Sequence, residues 1–156
     1  KIREAVVRDG ISARILRPFT VIGPLGRPDM APWKFSEAIM KGSKVKVHTG
    51  AGRDFTSVHD VCSAFALAAE QPWDGCETYN IGSGEYHGAD VLAGGLARCF
   101  GRPLHVEKTD LPAFMPKQTK ADYSRAMNGL GWRPKVGFAE AVREFAAWYQ
   151  IHASNE

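Results

Sequence analysis

A chain of 156 residues, 44% of them apolar and 24% charged, suits one soluble domain with a sizeable core. The net charge of +3 comes from basic residues scattered along the sequence, which supports a modest local attraction for anions and gives no footing for nucleic acid. No apolar run approaches the ~20 residues that span a bilayer, and KIREAVVRDG at the N-terminus lacks an apolar signal block, so neither membrane nor secretion is implied.

In chain order, residues 1–8 read as the last turns of a helix, with Gly10 as its terminating glycine. Residues 11–19 read as a strand with Ile11, Ala13 and Ile15 on one face. A stiff loop follows in IGPLGRPDM. Residues 32–41 then form a helix begun by Pro32, with Phe35, Ala38 and Ile39 on one face. KVKVH at 44–48 alternates as a short half-exposed strand, and Gly50-Ala51-Gly52 turns the chain. RDFT leads into a helix capped by Ser57, with Asp60 completing a short capping box. Its apolar stripe is Val58, Val61, Cys62, Phe65, Ala66 and Ala69, and Pro72 closes it. A strand at 77–81, a helix at 88–100 ended by Gly101, a strand at 104–107 and a helix at 122–130 ended by Gly131 follow. The final helix, 138–151, carries the stripe Ala141, Val142, Phe145, Trp148 and Tyr149. Alternating strands and helices, with no internal repeat, make the class α/β.

The chemistry sits in the loops. ILRPFTVIGPLGRPDM crowds two glycines, three prolines, two arginines and an aspartate into the end of a strand, where open α/β sheets commonly bind ligands. Thr20 lies at that end. Arg27, Pro28 and Asp29 form either a local ion pair that locks a turn or a rigid guanidinium presented to an anion. Arg53, beside Gly50, Gly52 and a helix start, either offers its planar fork to phosphate oxygens or is absorbed by Asp54 and Asp60. YNIGSGEYHG imitates a dinucleotide fingerprint, but His87 stands where the third glycine belongs, so it reads as a glycine-rich turn. Lys117 and Lys120 are a second cationic pair. Trp132 and the terminal FAAWY read as packing residues.

Cys62, Cys76 and Cys99 are odd in number and form no Cys-x-x-Cys pair; they read as reduced core residues in a cytoplasmic setting. The five histidines show no zinc-site spacing, so no metal is expected. No Gly-x-Ser-x-Gly elbow, paired-carboxylate site or Ser/His/Asp set can be assembled.

ILRPFTVIGPLGRPDMAPWKF resembles the UDP-glucuronate 4-epimerases, within the extended short-chain dehydrogenase/reductase (SDR) group of NAD-dependent epimerases and dehydratases. That family typically reads LRFFTVYGPWGRPDMA ahead of a helix bearing lysine and phenylalanine. GAGRDFTSVHDV, YNIGSG and LGWRPKVGFAEAVREFAAWY resemble its RDFT block, YNIG strand and terminal helix in the same order, so the resemblance covers nearly the whole chain. It implies the C-terminal part of an extended SDR Rossmann-type fold, with late sheet strands and a small substrate-binding lobe. Residues 1–24 would end the Rossmann-type domain, and 25–156 would be mainly the lobe, with some elements returning to the Rossmann domain. The implied ligand is a UDP-sugar. By position, the resemblance puts Thr20 and Arg27 near the sugar carboxylate, Arg53 on the pyrophosphate, and Val47 and His48 along the uracil pocket. Lys117 falls where the family often has a phosphate-contacting arginine, and Pro18 is assigned to cofactor binding. Pro18, Ile22 and Leu25 replace an aromatic, a tyrosine and a tryptophan of the motif, which leaves the choice of sugar open.

The implied reaction is C4 epimerisation of UDP-glucuronate or a related UDP-sugar by transient oxidation. A tyrosine of a Tyr-x-x-x-Lys pair takes the hydroxyl proton and NAD takes the hydride. Neither that pair nor the NAD glycine turn is read in this sequence. Tyr79, Tyr86, Tyr123 and Tyr149 are followed four residues on by Ser83, Asp90, Met127 and Ala153. The expectation is therefore the substrate-binding portion of an isomerase that is homodimeric when full-length. NAD would be held mainly by a preceding part, and this chain would be inactive alone. The alternatives are a truncated homologue that binds a nucleotide sugar or a protein partner without turnover, and a related dehydratase or decarboxylase.

Overall fold

The computed structural model describes residues 1–153. In chain order the elements are α1 (Ile2–Asp9), β1 (Ala13–Pro18), β2 (Thr20–Ile22), α2 (Ala31–Met40), β3 (Val45–His48), β4 (Gly52–Arg53) and β5 (Phe55–Ser57). They continue with α3 (Val58–Glu70), β6 (Cys76–Ile81), β7 (His87–Gly88), α4 (Ala89–Phe100), β8 (Val106–Thr109), α5 (Ser124–Leu130) and α6 (Phe138–His152). Helices α1, α4 and α5 stop at Gly10, Gly101 and Gly131, whose φ values of 64°, 61° and 64° are left-handed. Only glycine takes that conformation at little cost, which is why the three stops were legible.

The strand expected over 11–19 starts later and divides at Phe19. Phe19 N donates to Ile81 O at 2.9 Å and Thr20 N to Asp54 O at 3.0 Å. Successive amides of a strand point to opposite sides, so the chain changes partner here. β1 runs parallel to β6, and β2 runs parallel to β5. β3 pairs in parallel with β8, and β4 pairs antiparallel with β7. The strand expected at 104–107 is shifted to β8, whose register sets Val45 against Val106 and His48 against Thr109. β4, β5 and β7 are two or three residues long, too short to show a period.

Two cores result. One gathers Ile22, Phe35, Ile39, Val45, Val47 and Phe55 with the inner faces of α4 and α6. The other gathers Val61, Ala64 and Ala68 of α3 with Tyr79, Ile81, Ala126, Leu130 and Trp132. This second core corrects the stripe expected for α3. Val61, Ala64 and Ala68 face inward, whereas Cys62, Phe65, Ala66 and Ala69 are exposed. Cys62 is therefore a surface thiol rather than a core residue, and Cys76 and Cys99 are half-buried. The helix turns this way because Asp60 and Trp132 pull one face inward. Trp132 Nε1 donates to Asp60 O and Ser63 Oγ, both at 3.0 Å.

Ser57 does cap α3, accepting from His59 N at 3.2 Å, but Asp60 does not complete a capping box. Its carboxylate instead accepts Lys135 N and Val136 N, each at 3.0 Å, which ties the GWRPKV segment to α3. Arg14 fastens the outer end of the second core. Only 7% of its side chain is exposed, and it donates to Glu77 at 2.8 Å and to the carbonyls of Ala68 and Gln71 while lying over Trp73. That hydrogen bond holds the Glu77 carboxyl below the usual carboxylate range.

Asp54 joins the two cores. It is fully buried and accepts five hydrogen bonds: from Thr56 Oγ1, Ser83 N and Ser83 Oγ on Oδ1, and from Gly84 N and Ala121 N on Oδ2. The chain passes close enough that a Cβ on Gly82 would collide with Ala121 Cβ and stand 2.9 Å from Asp54 Oδ2. Asp54→Asn puts an NH₂ against amide donors and leaves them unpaired. We expect it to cost about 2–4 kcal/mol in urea-induced unfolding followed by circular dichroism. A cost below about 1 kcal/mol would show that the latch is dispensable.

Candidate functional site

A cleft of about 550 Å³ opens between the start of α2, the β3–β8 ribbon and β4. Thr20 lines it from the point where the strand changes partner, and Lys34, Lys46, His48 and Arg53 line it from three other elements. The period of two along β3 decides which of its residues face the cleft. Val45 and Val47 enter the core, and Lys46 and His48 stand on the opposite face. Val47, expected beside the ligand, thus places its side chain in the core. His48 Nδ1 lies 3.0 Å from Asp110 O and 2.9 Å from Thr109 Oγ1.

Of the two readings of Arg53, the structure excludes the ion pair. Asp54 and Asp60 are satisfied elsewhere, and Arg53 Nη1 donates to Gly52 O at 2.7 Å and Pro116 O at 2.9 Å, with Lys117 O at 3.4 Å. The arginine thereby carries its charge to the cleft and braces the loop that brings Met115 to the wall. Lys117 takes part through its carbonyl, which also accepts Gly52 N at 3.0 Å, while its side chain is exposed outside the cleft lining.

Arg27 is paired with Asp29, Nε to Oδ1 at 2.9 Å and Nη2 to Oδ2, and both side chains are well exposed. Arg27 lines an adjoining cleft of about 370 Å³ that shares Thr20 and Met30 with the larger one, and Asp29 lines the larger one. Of the two readings of this loop, the local ion pair is present, and it stands at the junction of the two clefts. The guanidinium holds the Asp29 carboxyl below its usual range. Pro18 is exposed at the end of β1, outside both linings.

The glycine-rich turn of YNIGSGEYHG behaves as expected of a turn. Its amides at Ser83 and Gly84 grip a carboxylate of the same chain, so they are closed to a dinucleotide phosphate. The sequence reading passed over Lys34 and Lys46. Lys46 could have been found from the alternation of KVKVH, which sends lysine and histidine to one side. Lys34 needed the α2 packing. Among the described residues, no cluster of three His, Cys, Asp or Glu side chains is placed to hold a metal ion. Among the same residues, no helix is long and apolar enough to cross a membrane.

Residues 2–82 match the model of the NAD dependent epimerase/dehydratase family. The chain belongs to that family. Among curated relatives, a UDP-glucuronate 4-epimerase of Thermodesulfobacterium geofontis is 31% identical over 143 residues, covering 89% of this chain and 43% of its own. UDP-glucuronate 4-epimerase 4 of Arabidopsis thaliana is 30% identical over 169 residues, covering 94% and 38%. This family member thus spans less than half the length of those relatives. Among solved structures, a UDP-glucuronic acid 4-epimerase mutant of Bacillus cereus, in complex with UDP-4-deoxy-4-fluoro-glucuronic acid and NAD, superposes with a TM-score of 0.89 at 25% identity. The match covers 96% of this chain and 49% of that one. The Thermus thermophilus UDP-glucose 4-epimerase, in complex with NAD, gives 0.87 at 26% identity over 97% and 50%. These likenesses show the Rossmann-like α/β fold foreseen from the sequence.

The Arg27–Asp29 pair can be checked directly. In Arg27→Met the Asp29 carboxyl, relieved of its donor, should titrate at higher pH than in the parent protein, followed by carbon NMR of the side-chain carboxyl. An unmoved titration would mean that the pair does not persist in solution.

Proposed function

We propose that this chain is the nucleotide-sugar-binding portion of an NAD-dependent epimerase acting on UDP-glucuronate or a related UDP-sugar. The observation that carries this reading is the convergence of Lys34, Lys46 and Arg53 on one cleft that Thr20 and His48 also line, with a guanidinium at its edge. Three cations match a diphosphate, and the planar fork of Arg27 matches a sugar carboxylate better than a lysine would. The names of the relatives support the same ligand class. For the uronate to be gripped, Arg27 exchanges Asp29 for the ligand's carboxylate. An exposed ion pair opposes that exchange only weakly.

The described residues do not fit NAD in the single turn that imitates its motif, because that turn is filled by Asp54. In this reading NAD, which supplies hydride exchange, is held mainly by a part of the protein preceding Lys1. Residues 1–24 end that Rossmann-type domain, and 25–156 contribute mainly the substrate-binding lobe. A homodimer and a cytoplasmic setting belong to the same proposal, the latter supported by three free thiols.

Calorimetric titration of the intact gene product tests the two arginines. Arg27→Met should weaken UDP-glucuronate roughly 10–100-fold and leave UDP-glucose nearly unchanged. Equal losses for both ligands would refute the carboxylate role. Arg53→Met should weaken both sugars and UDP itself by about tenfold or more, and unchanged UDP affinity would overturn the diphosphate assignment.

A further inference from the structure

A third cleft, of about 470 Å³, lies between α4 and α6 and shares no lining residue with the other two. Its floor is apolar. Val91 and Gly95 line it from α4, and Phe138 and Val142 line it from α6. The Phe138 ring stacks on His87, with centroids 3.9 Å apart and planes 12° apart. His87 is the residue that breaks the dinucleotide pattern, and here it extends a flat aromatic surface.

The helices approach closely because residue 95 has no side chain: a Cβ there would stand 3.3 Å from Val142 Cγ1. Packing does not account for Gly94 in the same way. A Cβ at 94 would meet only the Arg98 guanidinium, with Nη1 at 3.5 Å, and one at 95 would have Nη2 at 4.0 Å. Arg98 thus folds back over the preceding turn, as long helical side chains do, and lays its planar group along a bare stretch of α4 beside the cleft.

Arg98 and Arg143 line the cleft from its two helices, and no acidic residue lines it. Among the described residues, neither guanidinium has a hydrogen-bond or ion-pair partner. The neighbouring carboxylates are turned elsewhere. Asp90 accepts Val91 N, Glu85 faces His87 Nε2 at 3.1 Å, and Glu144 faces His59 Nε2 at 3.3 Å. Glu140 is exposed outside the lining.

We infer that the α4–α6 cleft is a second binding site, for an aromatic anion: a flat ring carrying a carboxylate or a similar acidic group. An inorganic anion would meet the arginines and leave the floor wet. A neutral ring would cover the floor and leave both charges unmet. A guanidinium serves both parts of such a ligand, since it donates in its plane to an oxyanion and stacks its face on a ring. The volume is that of an ordinary small-molecule pocket. The site needs neither nucleotide nor NAD, so it stands or falls apart from the reading of the larger cleft.

The test uses the intact gene product with 2-naphthoate, 2-naphthamide and acetate as probes. Half-buried Cys99 lines the cleft and reports its occupancy, and exposed Cys62 on α3 is the internal control. Saturating 2-naphthoate should slow alkylation of Cys99 by N-ethylmaleimide about threefold or more and leave Cys62 unaffected, followed by mass spectrometry of the peptides. In calorimetric titration 2-naphthoate should bind with a Kd of about 1 mM or tighter, about tenfold more tightly than 2-naphthamide or acetate. Arg98→Met combined with Arg143→Met should weaken 2-naphthoate about tenfold, whereas Arg53→Met should leave it unchanged. Equal binding of 2-naphthoate and 2-naphthamide overturns the assignment, because it removes the charge from the recognition. So does a loss in Arg53→Met that matches the double variant, an unprotected Cys99, or no binding of 2-naphthoate up to about 10 mM.

Discussion

A buried carboxylate with every lone-pair direction engaged is expensive to dismantle, and Asp54 is placed so that much of the molecule depends on one. Its backbone carbonyl accepts Thr20 N, and its amide donates to Thr119 Oγ1 at 3.3 Å. Its side chain gathers the turn at Ser83 and Gly84 and the amide of Ala121. Three stretches far apart in sequence thus meet at one residue. Its two neighbours both line the cleft, as strand alternation sets residues two apart on one face, and Phe55 is also buried in the core. The loop that braces Arg53 is held next to the one that Asp54 fixes.

Asp60 repeats the device within the second core. It takes two backbone amides ahead of α6, and its carbonyl accepts the Trp132 indole. The terminal helix is thereby set against α4 and α2, and α2 in turn presents its first residues to the cleft. The cleft walls are therefore fixed by groups that do not line them. Asp54 and Asp60 bind the frame from inside, and Lys34, Lys46 and Arg53 line the cleft.

Much of this was legible because its causes are local. Glycine stops, the proline in the first turn of α2 and the alternation of KVKVH are properties of short segments, and α6 showed its inner face through a long regular stripe. The inner face of α3 was not legible. Alanines at 64 and 68 and an aspartate at 60 form the buried side, while larger residues such as Phe65 point outward, so hydrophobicity alone named the wrong stripe. The partner change at Phe19 was hidden because both halves of the strand share one composition. At the site, the arginines stood out by type, but whether Asp54 paired with Arg53 or with amides depended on a turn some thirty residues away. Val47 and His48 were singled out together, and only the pleat separates their roles.

The two kinds of acidic contact respond differently to dissolved electrolyte. Mobile ions screen charges in solvent and barely reach those enclosed by protein. Asp54 and Asp60 are shut inside, whereas the Arg27–Asp29 pair stands in water at the mouth of the cleft. Raising ionic strength therefore slackens the clasp where an anion would enter and leaves the scaffold behind it taut.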